Sequence, residues 1–320
     1  MKQKDVMTIG DAMITFNPVS KGPMRYSQSF ERKVGGAELN FAIGCARLGL
    51  QTGWISRLGA DEFGRHILNF VRGEGIDVSE VKLVNGYPTS LNFKEILEDG
   101  SGSTYYYRYQ SPTTVITKDA INEDYIKASK FLHITGVFAA IDKKNPGILK
   151  HAVALAKKHD VKVSLDPNLR LKLWTLEEAK ETLIQLLPFV DVVLCGEEEA
   201  ELLFGEKYVE EYIHIFKEYG IRDIVIKQGE KGATAFRAEE GKILYGRPIK
   251  AKIVVDTVGA GDGFNAGYIY SLLNGKTLEE SLKIANTIGS MVVAVSGDNE
   301  GLPYLEDVAI ALGEKKKIER

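Results

Sequence analysis

Cysteine is nearly absent: Cys45 and Cys195 are the only two in 320 residues. Both stand in apolar surroundings and neither has a CxxC neighbour, so buried free thiols are expected rather than a disulfide or a catalytic thiol. The five histidines, His66, His133, His151, His159 and His214, show no HExxH or other metal-ligand spacing. Charge of one sign is also lacking. Against 44 acidic residues stand 41 basic ones, a net of −3, and the longest charge run at issue is the tail Lys315-Lys316-Lys317, which reads as a solvated helix end. Nucleic acid is therefore not an expected partner. No apolar run reaches membrane length, and Met1-Lys2-Gln3-Lys4-Asp5 leads directly into a strand pattern without a signal peptide. The expectation is a cytoplasmic protein with no membrane partner.

Two nucleotide-binding motifs are missing as well. The nearest approach to GxxxxGK[ST], Gly59 to His66, has Arg65 and His66 in place of Lys and Ser/Thr. The GxGxxG pattern would need glycine at 264, where the chain has Phe264. What the chain does have is Asp256-Thr257-Val258-Gly259-Ala260-Gly261-Asp262-Gly263-Phe264. The run Ile253-Val254-Val255 leads into it and an amphipathic run to Leu273 follows, which reads as strand, glycine turn and helix. Gly259 and Gly261 leave no side chain over the amides, and the first N–H groups of the helix are unpaired. Such a turn suits a phosphoryl group, and Asp262 within it is a candidate general base. The rival reading is an ordinary turn with a capping Asp.

Strand and helix signals alternate along most of the length. Strands are expected at Val6–Ile9, Thr52–Arg57, Phe131–Ile134, Val161–Leu165, Val190–Leu194 and Ile224–Lys227. Helices fill the intervals, two of them opened by capping boxes, Thr175 with Glu178 and Thr277 with Glu280. This order predicts an α/β fold with a mainly parallel sheet covered on both faces and ligands beyond the carboxyl ends of the strands. A chain of this size can form one large domain with an appendage or two domains. Ala12 to Lys33 and Pro88 to Tyr109 break the alternation. The second reads as a hairpin, Thr89–Leu97 and Ser103–Tyr109 around a turn at Glu98-Asp99-Gly100-Ser101-Gly102. Its four tyrosines, Tyr105, Tyr106, Tyr107 and Tyr109, suggest a β lid over the ligand edge rather than a decorative hairpin.

With these motifs the chain resembles the ribokinase-like (PfkB) family of carbohydrate kinases over nearly its whole length. The carrying residues are the 256–264 turn, Gly35-Gly36-Ala37-Glu38-Leu39-Asn40-Phe41-Ala42, Arg57-Leu58-Gly59-Ala60-Asp61-Glu62-Phe63-Gly64 and the opening Ile9-Gly10-Asp11. Within the family, Tyr105-Tyr106-Tyr107-Arg108, Asp166-Pro167-Asn168-Leu169-Arg170 and Leu173-Trp174 are similar to 2-keto-3-deoxygluconate kinases. The resemblance implies one ribokinase-like domain over 1–320, a three-layer α/β/α sandwich whose lid comes from segments about 12–33 and 88–110 and pairs with a second copy.

It also implies ATP and Mg²⁺, with K⁺ in some members near the turn that starts at Asp256. Asp262 would be the base, its pKa held low by the helix N-terminus, and Gly259, Ala260 and Gly261 would supply amides to the γ-phosphate. Glu199 would reach Mg²⁺ through water, although Gly196 stands where the family has Asn. Lys227, Gly229, Gly232 and Asn286 would face ATP. Asp11, Gly35, Gly36 and Asn40 would read the sugar hydroxyls, with Asn92 and Tyr106 as lid contacts. Arg108 and Arg170 would hold a carboxylate, which a neutral sugar lacks. The implied reaction is ATP-dependent phosphorylation of a primary hydroxyl of a small sugar acid, 2-keto-3-deoxygluconate. The alternatives are a neutral-sugar kinase of ribokinase or fructokinase type and a non-catalytic binding protein on the same fold. Structural readings remain open for Glu199 as an acidic helix start, for the two arginines as salt-bridge partners and for Asn286 as an ordinary helix residue.

Overall fold

Apolar residues of alternating facing build the central sheet. On β1 (Lys4–Ile9), Val6 joins one buried cluster while Met7 and Ile9 join the other, so both faces are covered. The computed structural model describes residues 3–98 and 102–316. The remaining strands are β2 (Met13–Pro18), β3 (Phe30–Gly35), β4 (Thr52–Gly59), β5 (Val81–Val84), β6 (Ser90–Lys94) and β7 (Thr104–Tyr107). After these come β8 (Ser129–Thr135), β9 (Lys162–Asp166), β10 (Val192–Gly196), β11 (Asp223–Lys227), β12 (Ala233–Arg237) and β13 (Lys242–Gly246). Nine strands form one sheet in the order β13-β12-β11-β10-β9-β8-β1-β4-β5. The run from β11 to β5 is parallel, and β12 and β13 add an antiparallel edge. Helices Ala37–Arg47, Ala260–Leu273 and Leu278–Val292 bury against one face, and Asn145–Lys158, Leu176–Leu186 and Val209–Glu218 against the other. The three-layer, mainly parallel architecture is the expected one, and both capping boxes form.

The segments that broke the alternation make a second sheet of four strands, β3-β2-β6-β7, in which β2 and β6 run parallel. Its strands are shorter than expected, Ser90–Lys94 and Thr104–Tyr107, and residues 99–101 of the expected turn lie outside the described residues, as does Lys317 of the tail. One face of this sheet carries Phe16 stacked on Phe93 with centroids 4.8 Å apart, and Tyr107 edge-on to Phe93. No described helix is long and apolar enough to cross a membrane.

Two expectations around the glycine turn are corrected. Ile253-Val254-Val255 is not a strand. It is an exposed coil, 48–66% accessible, whose Val255 N–H bonds Val293 O at the end of helix Leu278–Val292. Apolar β-branched composition does not separate a strand from an exposed loop. The helix also begins at Ala260 rather than Phe264, so Asp262 lies in its first turn.

Candidate active site

The carboxyl ends of β9, β10 and β11 deliver Asp166, Gly196 and Lys227 to one edge of the sheet, and the lid faces them across a cavity of about 1200 Å³. Helix Ala260–Leu273 starts on this wall. Its N-cap, Gly259, is left-handed (φ 80°), and a Cβ there would come 2.0 Å from Asp298 O. Glycine is thus required twice over, by conformation and by space, and the turn is seated directly on the backbone of residue 298.

Asp262, in the first turn, accepts from Asn40 Nδ2 at 2.9 Å, which joins this helix to Ala37–Arg47. Burial pushes the Asp262 carboxyl up to about 8. The Asn40 hydrogen bond opposes this, Asp166 adds to it, and Arg170 and Lys227 oppose it. The expected low pKa is therefore corrected: desolvation outweighs the helix N-terminus. Behind it lies a group that sequence reading left without a role. Asp166 Oδ2 accepts from Asn265 Nδ2 at 2.6 Å and from Lys227 Nζ at 3.1 Å. An atom added at Gly261 would stand 3.8 Å from that ammonium. Burial pulls the Lys227 pKa down, but the Asp166 and Glu199 charges outweigh it, and the net shift is upward. A fixed cation, the first amides of a helix and a carboxyl pushed up to about 8 thus meet at one point. Such a set can hold an anion and take a proton from an alcohol.

Arg108, just past β7, and Arg170, past β9, also line this cavity, together with Tyr106, Asn92, Gly36 and Asn40. Arg108 Nε is held at 3.0 Å by Asp11, which is fully buried and lies behind the wall rather than on it. Ser90 Oγ is a second partner of Asp11 at 3.3 Å. Three buried acceptors on or beside these residues have no protein partner among the described residues: Asp11 Oδ1, Asn92 Oδ1 and Asn168 Oδ1. Unpartnered acceptors of this kind suit the O–H donors of a polyhydroxy compound. Asn168 also has a left-handed backbone (φ 36°), an uncommon state for a non-glycine residue and one associated with binding sites.

The other expected residues divide. Gly229, Glu199 and Lys227 line the cavity, whereas Gly35, Gly232, Ala260 and Asn286 do not. Gly35 leaves room for the Asp298 carboxylate, since a Cβ would be 2.2 Å from its Oδ2. Asn286 donates to Gly246 O and Arg247 O, tying down the end of β13. Glu199 accepts Leu169 N–H at 2.9 Å and Gly196 N–H at 2.8 Å, so each oxygen already serves the backbone. His133 is a neutral core histidine, stacked on Phe41, with burial pushing it down to about 3. Both cysteines are free and buried.

Among the described residues no group of three or more His, Cys, Asp or Glu could hold a metal ion. A protein cage for a metal is thus not built. Mg²⁺ carried on phosphates needs only one or two carboxylates, and Glu197, Glu198, Glu199 and Asp166 on this wall fit that mode. K⁺ beside Asp256 fits poorly. Asp256 Oδ1 accepts Val258 N–H, and its Oδ2 accepts Gly297 N–H and the Lys94 ammonium.

Comparison with known proteins bears on the family and the fold. Residues 3–305 match the model described as pfkB family carbohydrate kinase. The 2-dehydro-3-deoxygluconokinase of Bacillus subtilis is 33% identical over 316 residues, covering 98% of this chain and 97% of the relative. The 5-dehydro-2-deoxygluconokinase of Bacillus licheniformis is also 33% identical, over 313 residues, covering 96% and 95%. A crystal structure of a putative ribokinase II from E. coli in complex with ATP and Mg²⁺ superposes with a TM-score of 0.88. It has 24% identity and the match covers 98% of this chain and 100% of that one, a likeness of fold.

Proposed function

The chain belongs to the pfkB family of carbohydrate kinases, and on that premise we propose that it uses ATP to phosphorylate a primary hydroxyl of a small sugar acid, 2-keto-3-deoxygluconate. The observation that carries this reading is the convergence of Arg108 and Arg170 on the cavity that also holds Asp262 and the Gly259–Gly261 turn. Two guanidiniums are surplus for a neutral sugar and are suited to one carboxylate.

In this reading Arg108 and Arg170 hold the carboxylate, and Asp11 keeps the Arg108 guanidinium oriented through its Nε. Asn92 and Tyr106 close over the sugar from the lid. Asp262 accepts the hydroxyl proton as the hydroxyl oxygen bonds to the γ-phosphorus and the bond from that phosphorus to ADP breaks. The amides of Gly259, Ala260 and Gly261 and the Lys227 ammonium hold the charge on the moving group. Bound Mg²⁺ would neutralise phosphate charge, and Glu199 with its acidic neighbours would meet it through water. Gly229 admits the nucleotide close to the backbone. Gly36 and Asn40 border the sugar, while Gly35, Gly232 and Asn286 support the wall from behind. ATP and Mg²⁺ in the E. coli neighbour of like fold support this choice of co-substrate.

The Bacillus licheniformis relative, equal in identity, favours a second reading within the same class, 5-dehydro-2-deoxygluconate. It too is a sugar acid, so the arginines do not discriminate. We further read residues 1–320 as one cytoplasmic domain whose lid pairs with a second copy. Tyr105, Tyr107 and Tyr109 on the lid are 44%, 63% and 85% exposed, a surface that a partner would cover. The test is ADP release with Mg-ATP over both keto-deoxy acids, gluconate, ribose, fructose and adenosine. Turnover confined to the acids supports the proposal. Turnover of ribose or fructose alone replaces it with the neutral-sugar reading. ATP binding without turnover of any sugar leaves the non-catalytic alternative.

A further inference from the structure

Lys94 ends β6 of the lid, and its ammonium is buried between two carboxylates on the opposite side of the cavity edge. Nζ lies 2.8 Å from Asp298 Oδ1 and 3.3 Å from Asp256 Oδ2. Asp256 opens the glycine turn and is pinned by Val258 N–H and Gly297 N–H. Asp298 is the residue on whose carbonyl Gly259 rests, and Gly35 leaves the space its carboxylate fills. Lys33 of β3 reaches the same loop, donating to Ser296 O at 2.7 Å.

Charge makes this contact consequential. Two carboxylates directly behind amides meant to hold an anion would oppose that anion at short range in a desolvated setting. One buried ammonium offsets part of that charge and fixes both carboxylates. Burial pulls the Lys94 pKa down, but Asp298 and Asp256 outweigh it and hold it charged. Val258 N–H occupies Asp256 Oδ1, and Lys94 with Gly297 N–H occupies its Oδ2, so neither oxygen of Asp256 is left idle for a diffusible cation.

We propose that Lys94 is a positioning residue of the phosphate turn: a cation tethered to the lid that fixes the Asp256–Gly259 segment, so that the enzyme works without a monovalent metal ion. Closing the lid on sugar and presenting the anion hole then become one event, because the same side chain belongs to both. The inference rests on the Gly259–Gly261 turn being the phosphate site, and it holds for whichever sugar is used.

The experiment has two readouts. In turnover of the preferred sugar, wild type in choline chloride should match wild type in KCl at equal ionic strength within about twofold. Lys94→Met should lose kcat about 100-fold or more while sugar KM changes less, and ammonium or methylammonium should restore it about tenfold. In thermal melting, Lys94→Met should fall by about 5 °C or more in choline chloride and regain several degrees with ammonium, which wild type should not. A wild type that requires K⁺ overturns the proposal, and that result needs no variant to fold. So does a Lys94→Met enzyme with wild-type kcat, or one that is folded but unmoved by small ammonium ions in both readouts. If no sugar on the panel is turned over, the proposed substrate class fails, while the melting response still decides the role of Lys94.

Discussion

Asn40 and Asp262 are 222 positions apart in sequence and are joined by a hydrogen bond of 2.9 Å inside the protein. The bond ties the helix of the N-terminal glycine pair to the helix of the C-terminal glycine turn, and it is the contact that orients the candidate base. Replacing Asn40 with Leu should lower kcat about 10- to 100-fold and move the Asp262 pKa further upward, since the amide favours the carboxylate form. Steady-state kinetics over a pH series reads both effects. A shape-conserving change that leaves kcat intact contradicts the orienting role.

The raised Asp262 pKa sets a pH profile. Only the carboxylate accepts a proton, so kcat/KM should climb about tenfold per pH unit in acid and level off above about 8. A plateau already reached at pH 6 would mean that burial does not govern this group in the working enzyme.

The same shift has a stability consequence. Between the ordinary value of 3.8 and about 8, the folded protein holds a proton that the unfolded chain releases, so stability falls as pH rises through that window. Asp262→Asn removes the buried charge and should be inactive yet more stable than wild type at pH 9, by on the order of a few kcal/mol. The difference should vanish near pH 4. Denaturation curves at the two pH values check the sign.

Gly259→Ala should be inactive and destabilised by roughly 1–3 kcal/mol or more. The added Cβ meets Asp298 O and the residue must keep φ near 80°. An Ala variant with wild-type kcat would show that the turn can move without harm, contrary to a preorganised anion hole.

The lid tyrosines predict association. Sedimentation should give a dimer, and Tyr107→Asp with Tyr109→Asp should yield monomer. A wild-type monomer at micromolar concentration contradicts the role given to that exposed face.

Much of this arrangement could be read from local pattern. Strand periodicity, the two capping boxes and the positions of Gly259, Gly36 and Asp262 follow from neighbours in sequence. Asp166 with Asn265, 99 positions apart, and Lys94 with Asp298, 204 apart, could not be, because only the folded sheet and lid bring them together. Ile253-Val254-Val255 misled because a β-branched run looks the same whether it pairs or lines a surface loop. The Asp262 pKa misled because burial, a tertiary quantity, outweighs the local helix terminus.

Selection of a carboxylate by two arginines is read most directly from the ratio of kcat/KM for 2-keto-3-deoxygluconate to that for fructose, in wild type and in the Arg108→Ala and Arg170→Ala enzymes. A charge-assisted contact of about 3 kcal/mol predicts a wild-type ratio above about 100, falling tenfold or more in each variant through KM for the acid. A ratio near or below one, unchanged by either substitution, would contradict the sugar-acid assignment and leave a kinase for a neutral sugar.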